Sequence, residues 1–294
     1  MPELHYAAQR GDLAVLTKLV RDENCNISLR DACGKTALHE AVIYGHYEAA
    51  KLLLESGCAV DSLKRADWTP LMCAASKANN EICELSIKHG ANGLFINKDG
   101  WTALHIAVRA NSITVVQMLI KNFPSSIYIA SNNKRLILHT AAYHGHVELC
   151  KLFINDDYFA IDSKDSSGIT PLFYALMEGH TECANILISK GARVDLTDNL
   201  GRHIFHLIAL EGRIDSYKYV KDSFPYFDEN IKDLHGRHSI HYASMGGHVD
   251  FTNSLIVDNP RLLQLVDDFQ RTPMCYASLC RQKQLENWFK YLNS

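Results

Sequence analysis

Apolar residues along the chain fall into short clusters with helical spacing, and the clusters come in pairs. One of each pair carries small residues side by side, as in Ala74-Ala75 and Ala141-Ala142, which let helices approach closely. The other carries large aliphatic pairs: Leu52-Leu53, Leu119-Ile120, Leu187-Ile188 and Leu255-Ile256. Gly45-His46, Gly145-His146, Gly179-His180 and Gly247-His248 stand between the two, and glycine there predicts the end of the first helix and the start of the second. One apolar position marks every copy: Leu4, Leu38, Leu71, Leu104, Leu138, Leu172, Phe205, Ile240 and Met274, spaced 33 to 35 residues apart. A constant period of that size is the mark of a repeat architecture, in which no copy buries its apolar side except against its neighbours. The repeats run near 1-30, 31-63, 64-96, 97-130, 131-164, 165-197, 198-232, 233-266 and 267-294, and the expectation is one domain over 1-294.

Polar positions between the clusters are turn and cap chemistry. Asp31 to Gly34, Asp165 to Gly168, Asp198 to Gly201 and Asp233 to Gly236 read Asp-x-x-Gly, where Asp bonds its own backbone and Gly accepts positive φ. Thr36, Thr69, Thr102, Thr170 and Thr272 then suit the N-cap of the first helix, and Pro70, Pro171 and Pro273 its first turn. Leu136, His203 and His238 replace that threonine, which predicts weaker capping in repeats five, seven and eight. The stretches Gly34 to Ala41 and Gly100 to Ala107, both Gly-x-Thr-Ala-Leu-His-x-Ala, resemble the ankyrin family, as does Gly168 to Leu172. That resemblance covers essentially the whole chain and implies an all-α solenoid of nine helix-turn-helix repeats with β-turn fingers. The first repeat lacks its finger, and the last ends in a polar helix with an apolar anchor, Gln282 to Tyr291, as terminal repeats do.

Composition narrows the function. The 294 residues are 47% hydrophobic and 21% charged, enough for a sizeable core, and the net charge of −3 argues against direct nucleic-acid binding. No run approaches the length of a membrane span, and no signal peptide precedes the first repeat, so the expectation is a cytoplasmic monomer with the nucleus also open to it. Nine cysteines without a CxxC pair read as reduced thiols. Fifteen histidines invite metal or acid-base chemistry, yet His5, His39, His105, His139, His206 and His241 share one repeat slot, where a structural bond between helix and finger explains them better. His146 likewise belongs to the Gly-His slot. No nucleophile, base or phosphate loop recurs at a catalytic spacing, so the chain reads as a non-enzyme with no cofactor, metal or catalytic residue.

Residues the frame does not dictate point to a binding surface. The slot just after each turn, which follows a glycine in five of the eight fingers, holds Lys35, Trp68, Trp101 and Arg135, then Ile169, Arg202, Arg237 and Arg271. Neighbouring finger positions add Lys64, Arg65 and Lys98, and the first helices add Tyr44, Lys77, Arg109, Tyr143 and His144. A basic and aromatic strip across repeats two to five, with two exposed tryptophans, has the composition of an interface centre. Two other readings stay open: each tryptophan folds over a neighbouring finger among solvated cations, or the indoles stack on RNA.

Some segments go beyond the generic frame. Val60 to Met72, His89 to Asn92 with Asn97 to Trp101, and Leu138 to His146 are similar to the branch of the ankyrin family that associates with cytosolic alanyl-tRNA synthetase. The resemblance implies docking on the synthetase catalytic domain, protection against serine misincorporation, and finger lysines that accept activated serine. Carried over by position, the acceptors fall on Arg65 with Lys64 beside it, on Lys98, and near Tyr128. Only Lys98 matches directly, since Arg65 is no usable nucleophile and Tyr128 keeps neither charge nor amine. The alternative is a generic ankyrin scaffold or signalling adaptor for another intracellular protein.

Overall fold

The computed structural model describes residues 3–155, 160–225 and 231–292. Among them eighteen α-helices follow one another in nine pairs, and no strand forms beyond two isolated bridges, Lys64 with Trp68 and Thr197 with His203. The first four pairs are α1 (Glu3–Arg10) with α2 (Leu13–Val20), α3 (Ala37–Ile43) with α4 (Tyr47–Glu55), α5 (Pro70–Ser76) with α6 (Asn80–Lys88), and α7 (Ala103–Arg109) with α8 (Ile113–Asn122). Then come α9 (Ile137–Tyr143) with α10 (Val147–Asn155), α11 (Pro171–Glu178) with α12 (Thr181–Ser189), and α13 (Ile204–Glu211) with α14 (Ile214–Ser223). The last are α15 (Ser239–Gly246) with α16 (Val249–Asp258) and α17 (Pro273–Leu279) with α18 (Lys283–Leu292). Short 3-10 turns follow α8 at Pro124–Tyr128 and α16 at Pro260–Gln264.

Local chemistry sets the helix ends. Each of the five threonines accepts the backbone N–H three residues on, and each of the three prolines sits at the first turn, where its missing N–H leaves no bond unmade. One bond at these helix starts does not depend on threonine: Nδ1 of His139, His206 and His241 accepts the N–H of Leu136, His203 and His238 at 3.2, 2.8 and 3.0 Å, as Nδ1 of His39 and His105 accepts that of Thr36 and Thr102. The first helix ends in a left-handed residue, Gly45 at φ 76° being one, after which the His46 N–H returns to the Ala41 carbonyl at 2.9 Å. Ala78, Asn111 and Arg281 hold the same slot at φ 52°, 56° and 59° without glycine's freedom.

The chain divides into two compact units, Met1–Ala141 and Ala142–Ser294. In the first, α1, α3, α5 and α7 stack on one another and bury Leu38, Leu71 and Leu104, while α2, α4, α6 and α8 stack behind them through Leu16, Leu53, Ile82 and Val116. In the second, α11, α13, α15 and α17 bury Leu172, Phe205 and Ile240, and Tyr217 lies edge-on between Phe205 and Phe251 at 5.5 and 5.3 Å. Met274, the ninth marker residue, is only half-buried. The closing helix α18 buries Leu285 and Phe289 while Tyr291 stays 78% exposed, the polar cap with an apolar anchor that its sequence predicts. Burying one such large side chain contributes roughly 1.5–3 kcal/mol.

Candidate functional site

A single finger geometry recurs. In most fingers the first residue offers a side-chain oxygen to the N–H groups two and four positions on, as Asp31 does to Cys33 and Lys35, Asp165 to Ser167 and Ile169, and Asn97 to Asp99 and Trp101, whereas the finger that begins at Lys64 closes through backbone bonds alone. Consecutive tips are bonded backbone to backbone. The N–H of Arg65 donates to Cys33 at 2.8 Å, that of Lys98 to Ala66 at 3.1 Å, and that of Asn132 to Asp99 at 3.1 Å. The post-Leu histidines tie helices to fingers, with Nε2 of His5, His39, His206 and His241 donating to the carbonyls of Lys35, Trp68, Arg237 and Leu265. Burial pushes the rings of His39, His105, His206 and His241 down to a pKa of about 4, so they are neutral at physiological pH, with the proton on Nε2. No group of three or more histidine, cysteine or carboxylate side chains suited to a metal occurs among the described residues, and His144 instead stacks on His146 at 5.5 Å.

The expected strip divides into groups. Trp68, Trp101, Arg109 and Arg135 meet around a groove of about 330 Å³, whose remaining wall is Asn97 and Asp99 of one finger and Ser131, Asn132 and Asn133 of the next. Arg109 lies over the Trp101 indole at 5.1 Å, and that indole stacks on His105 with ring centres 6.1 Å apart. The Lys64 ammonium sits 5.1 Å from the Trp68 ring. Lys98 and Arg65 are exposed at the tips, and the Lys98 carbonyl accepts from Asn132 Nδ2 at 2.7 Å. Lys35 turns back to pair with buried Glu40 at 3.0 Å, while Lys77 is exposed and Tyr44, also exposed, accepts from Gln9 through its hydroxyl. Tyr143 and His144 belong to the second unit, where they meet edge to face at 5.0 Å and Tyr143 packs on Tyr174.

One expectation needs correction. The tryptophans are half-buried rather than exposed, because the last residue of the turn starts the return of the finger toward the first helix, where the Trp101 ring stacks on His105. The same slot turns Arg202, Arg237 and Arg271 back toward their own fingers. Each pairs with its own finger aspartate at 2.6 to 2.9 Å, and Tyr242 and Tyr276 donate their hydroxyls to the same oxygen of Asp233 and Asp267 at 2.6 Å. Burial works against the Asp267 carboxylate, but Tyr276, Arg271 and backbone N–H donors outweigh it and hold the pKa at about 2. The Asp-x3-Arg-x4-Tyr spacing in repeats eight and nine was the available signal for this arrangement. Asn97, Asn132 and Asn133, which complete the groove, carry no comparable signal, since they read as ordinary turn residues.

Comparisons with known proteins agree with this geometry. A family profile described as ankyrin repeats (3 copies) matches residues 4–92, 57–131 and 124–198. A Saccharomyces cerevisiae protein described as probable 26S proteasome regulatory subunit p28 is 32% identical over 206 residues, 67% of this chain and 89% of its own length. Human inversin is 32% identical over 238 residues, again 67% of this chain but 22% of inversin, so most of that larger protein has no counterpart here. Among solved structures, the human ASB11 ankyrin repeat domain superposes with a TM-score of 0.65 at 23% identity, covering 75% of this chain and 97% of that domain, which supports the fold alone. Such repeats generally act as non-catalytic protein-binding scaffolds, and by profile, relative and fold together this chain belongs to the ankyrin-repeat family.

Proposed function

We propose that the chain is a non-enzymatic docking module of the cytoplasm, that it engages its partner through the groove between Trp68 and Arg135, and that the partner is alanyl-tRNA synthetase, where it limits serine misincorporation. The observation that carries the docking role is the groove itself: two indoles and two guanidinium groups held in place by finger and helix, a combination rich in the residue types of interface hot spots. The choice of partner rests on the resemblance of Val60 to Met72, His89 to Trp101 and Leu138 to His146 to ankyrin repeat domain-containing protein 16. Lys98, exposed at its tip, would take part as an acceptor: its deprotonated amine attacks the carbonyl carbon of seryl-adenylate, an amide bond forms, and AMP departs. Lys64 is the second candidate, with its ammonium resting on Trp68. The likeness to the yeast p28 protein supports a second reading, a proteasome-associated scaffold.

Binding of purified alanyl-tRNA synthetase to the immobilised full chain separates these readings. The expected result is saturable binding that weakens at least tenfold in Trp68→Ala and Trp101→Ala, with circular dichroism unchanged. Arg109→Gln, an exposed change with little cost to packing, is expected to do the same. No binding removes the synthetase reading, and capture of proteasome subunits in its place establishes the second. Incubation with synthetase, ATP and serine is expected to add a seryl mass to Lys98 or Lys64, and unmodified lysines would dismiss the acceptor role.

A further inference from the structure

Fingers differ in what the second atom of their first side chain does. In repeats eight and nine that atom is an oxygen, Asp233 Oδ2 or Asp267 Oδ2, and both an arginine and a tyrosine donate to it. Repeat four has Asn97 instead. Its Oδ1 takes the N–H groups of Asp99 and Trp101, each at 2.9 Å, which sets the orientation of the amide and leaves Nδ2 in the second position. Asn97 is 5% exposed, its Nδ2 is buried, and no acceptor among the described residues lies within hydrogen-bonding distance. A buried donor without an acceptor is unfavourable, and it belongs to a residue that lines the groove together with Arg109 and Arg135.

We infer that this groove is a carboxylate-recognition site that takes an aspartate or glutamate side chain from an acidic segment of a protein partner. The inference rests on the protein-docking reading above and names the chemistry the partner presents. Two guanidinium forks match a carboxylate edge, and Arg109 is already held in position by stacking on Trp101. The Trp68 and Trp101 rings supply apolar walls for the methylene stem. Exposed Asp99 in the same groove, together with the net charge of −3, disfavours a polyanion such as RNA while leaving room for one carboxylate. The first residue of the other fingers is no equivalent: the aspartates at Asp31, Asp165, Asp198, Asp233 and Asp267 put a second acceptor where Asn97 puts a donor, and the remaining two fingers begin with Lys64 and Ser131, neither of them an amide.

The test titrates the isotope-labelled full chain and follows the indole N–H signals of its three tryptophans, with Trp288 as internal control. Acetylated, amidated hexaglutamate is expected to shift the Trp68 and Trp101 signals saturably and to leave Trp288 in place, and hexalysine is expected to shift neither. Apparent affinity is expected to fall at least tenfold in R109Q, R135Q and N97D. Aspartate already makes this finger turn in five other repeats, so N97D keeps the turn bonds, and an unchanged circular dichroism spectrum verifies that. Silence toward hexaglutamate, undiminished binding by folded N97D, or an equal response to hexauridylate or inorganic phosphate overturns the inference. A synthetase that binds while hexaglutamate is silent removes this site and keeps the proposed function. Shifts with hexaglutamate in a chain that ignores the synthetase do the reverse.

Discussion

At the scale of single residues, the repeated histidine decides how the protein responds to acid. The rings of His39, His105, His206 and His241 protonate in the folded chain only near pH 4, against 6.5 for an ordinary histidine, because burial penalises the charged form. As pH falls through 6.5 the unfolded chain takes up protons that the folded chain still refuses. Stability is therefore fully present above that value and declines down to about pH 4, with each ring contributing on the order of 3 kcal/mol at most. Urea midpoints are expected to be level between pH 8 and 7 and clearly lower at pH 5.5, and His105→Gln is expected to flatten that slope. Equal midpoints at pH 7.5 and 5.5 would dismiss the assignment of these rings as buried and neutral.

At the scale of the element, short helices depend on their ends. The seven-residue helix α7 begins at Thr102, whose hydroxyl accepts the His105 N–H, so Thr102→Ala is expected to lower unfolding free energy by about 1 kcal/mol in chemical denaturation. In the ninth repeat, Tyr276→Phe removes a donor from the buried Asp267 carboxylate and is expected to cost about 1.5–3 kcal/mol, with a shift of under 0.5 kcal/mol arguing against the arrangement. These elements were legible in the sequence because threonine, proline and glycine mark helix ends by mechanisms that do not depend on distant contacts. The candidate site was legible only in part. Trp68, Trp101, Arg109 and Arg135 could be selected by type, but the half-burial of Trp68, Trp101 and Arg135 follows from the direction in which a finger folds back, which no local pattern encodes. Asn97 was invisible for a related reason: its amide matters only because no arginine or tyrosine reaches its second atom.

At the scale of the whole molecule, stability in a stack of repeats comes mainly from contacts with adjacent repeats. Leu104 is fully buried in the first unit, and Leu104→Ala is expected to cost about 2–5 kcal/mol. Hydrogen exchange is expected to quicken most in repeats three to five and least in repeats eight and nine, whereas uniform acceleration along the chain would show one indivisible cooperative block. The repeats also differ in where they hold their extra residues. From its first residue to the return of the chain, each finger keeps the same five positions, as in Asp31 to Lys35, Asn97 to Trp101 and Ser131 to Arg135. The additional turns, Pro124–Tyr128 and Pro260–Gln264, follow the second helix, and Tyr128 there is 65% exposed. Among the described residues, then, extra length is taken up after the second helices: an epitope tag or fluorophore peptide placed after Tyr128 is expected to leave every finger in register, while one extra residue inside a finger displaces all the bonds it makes to the next.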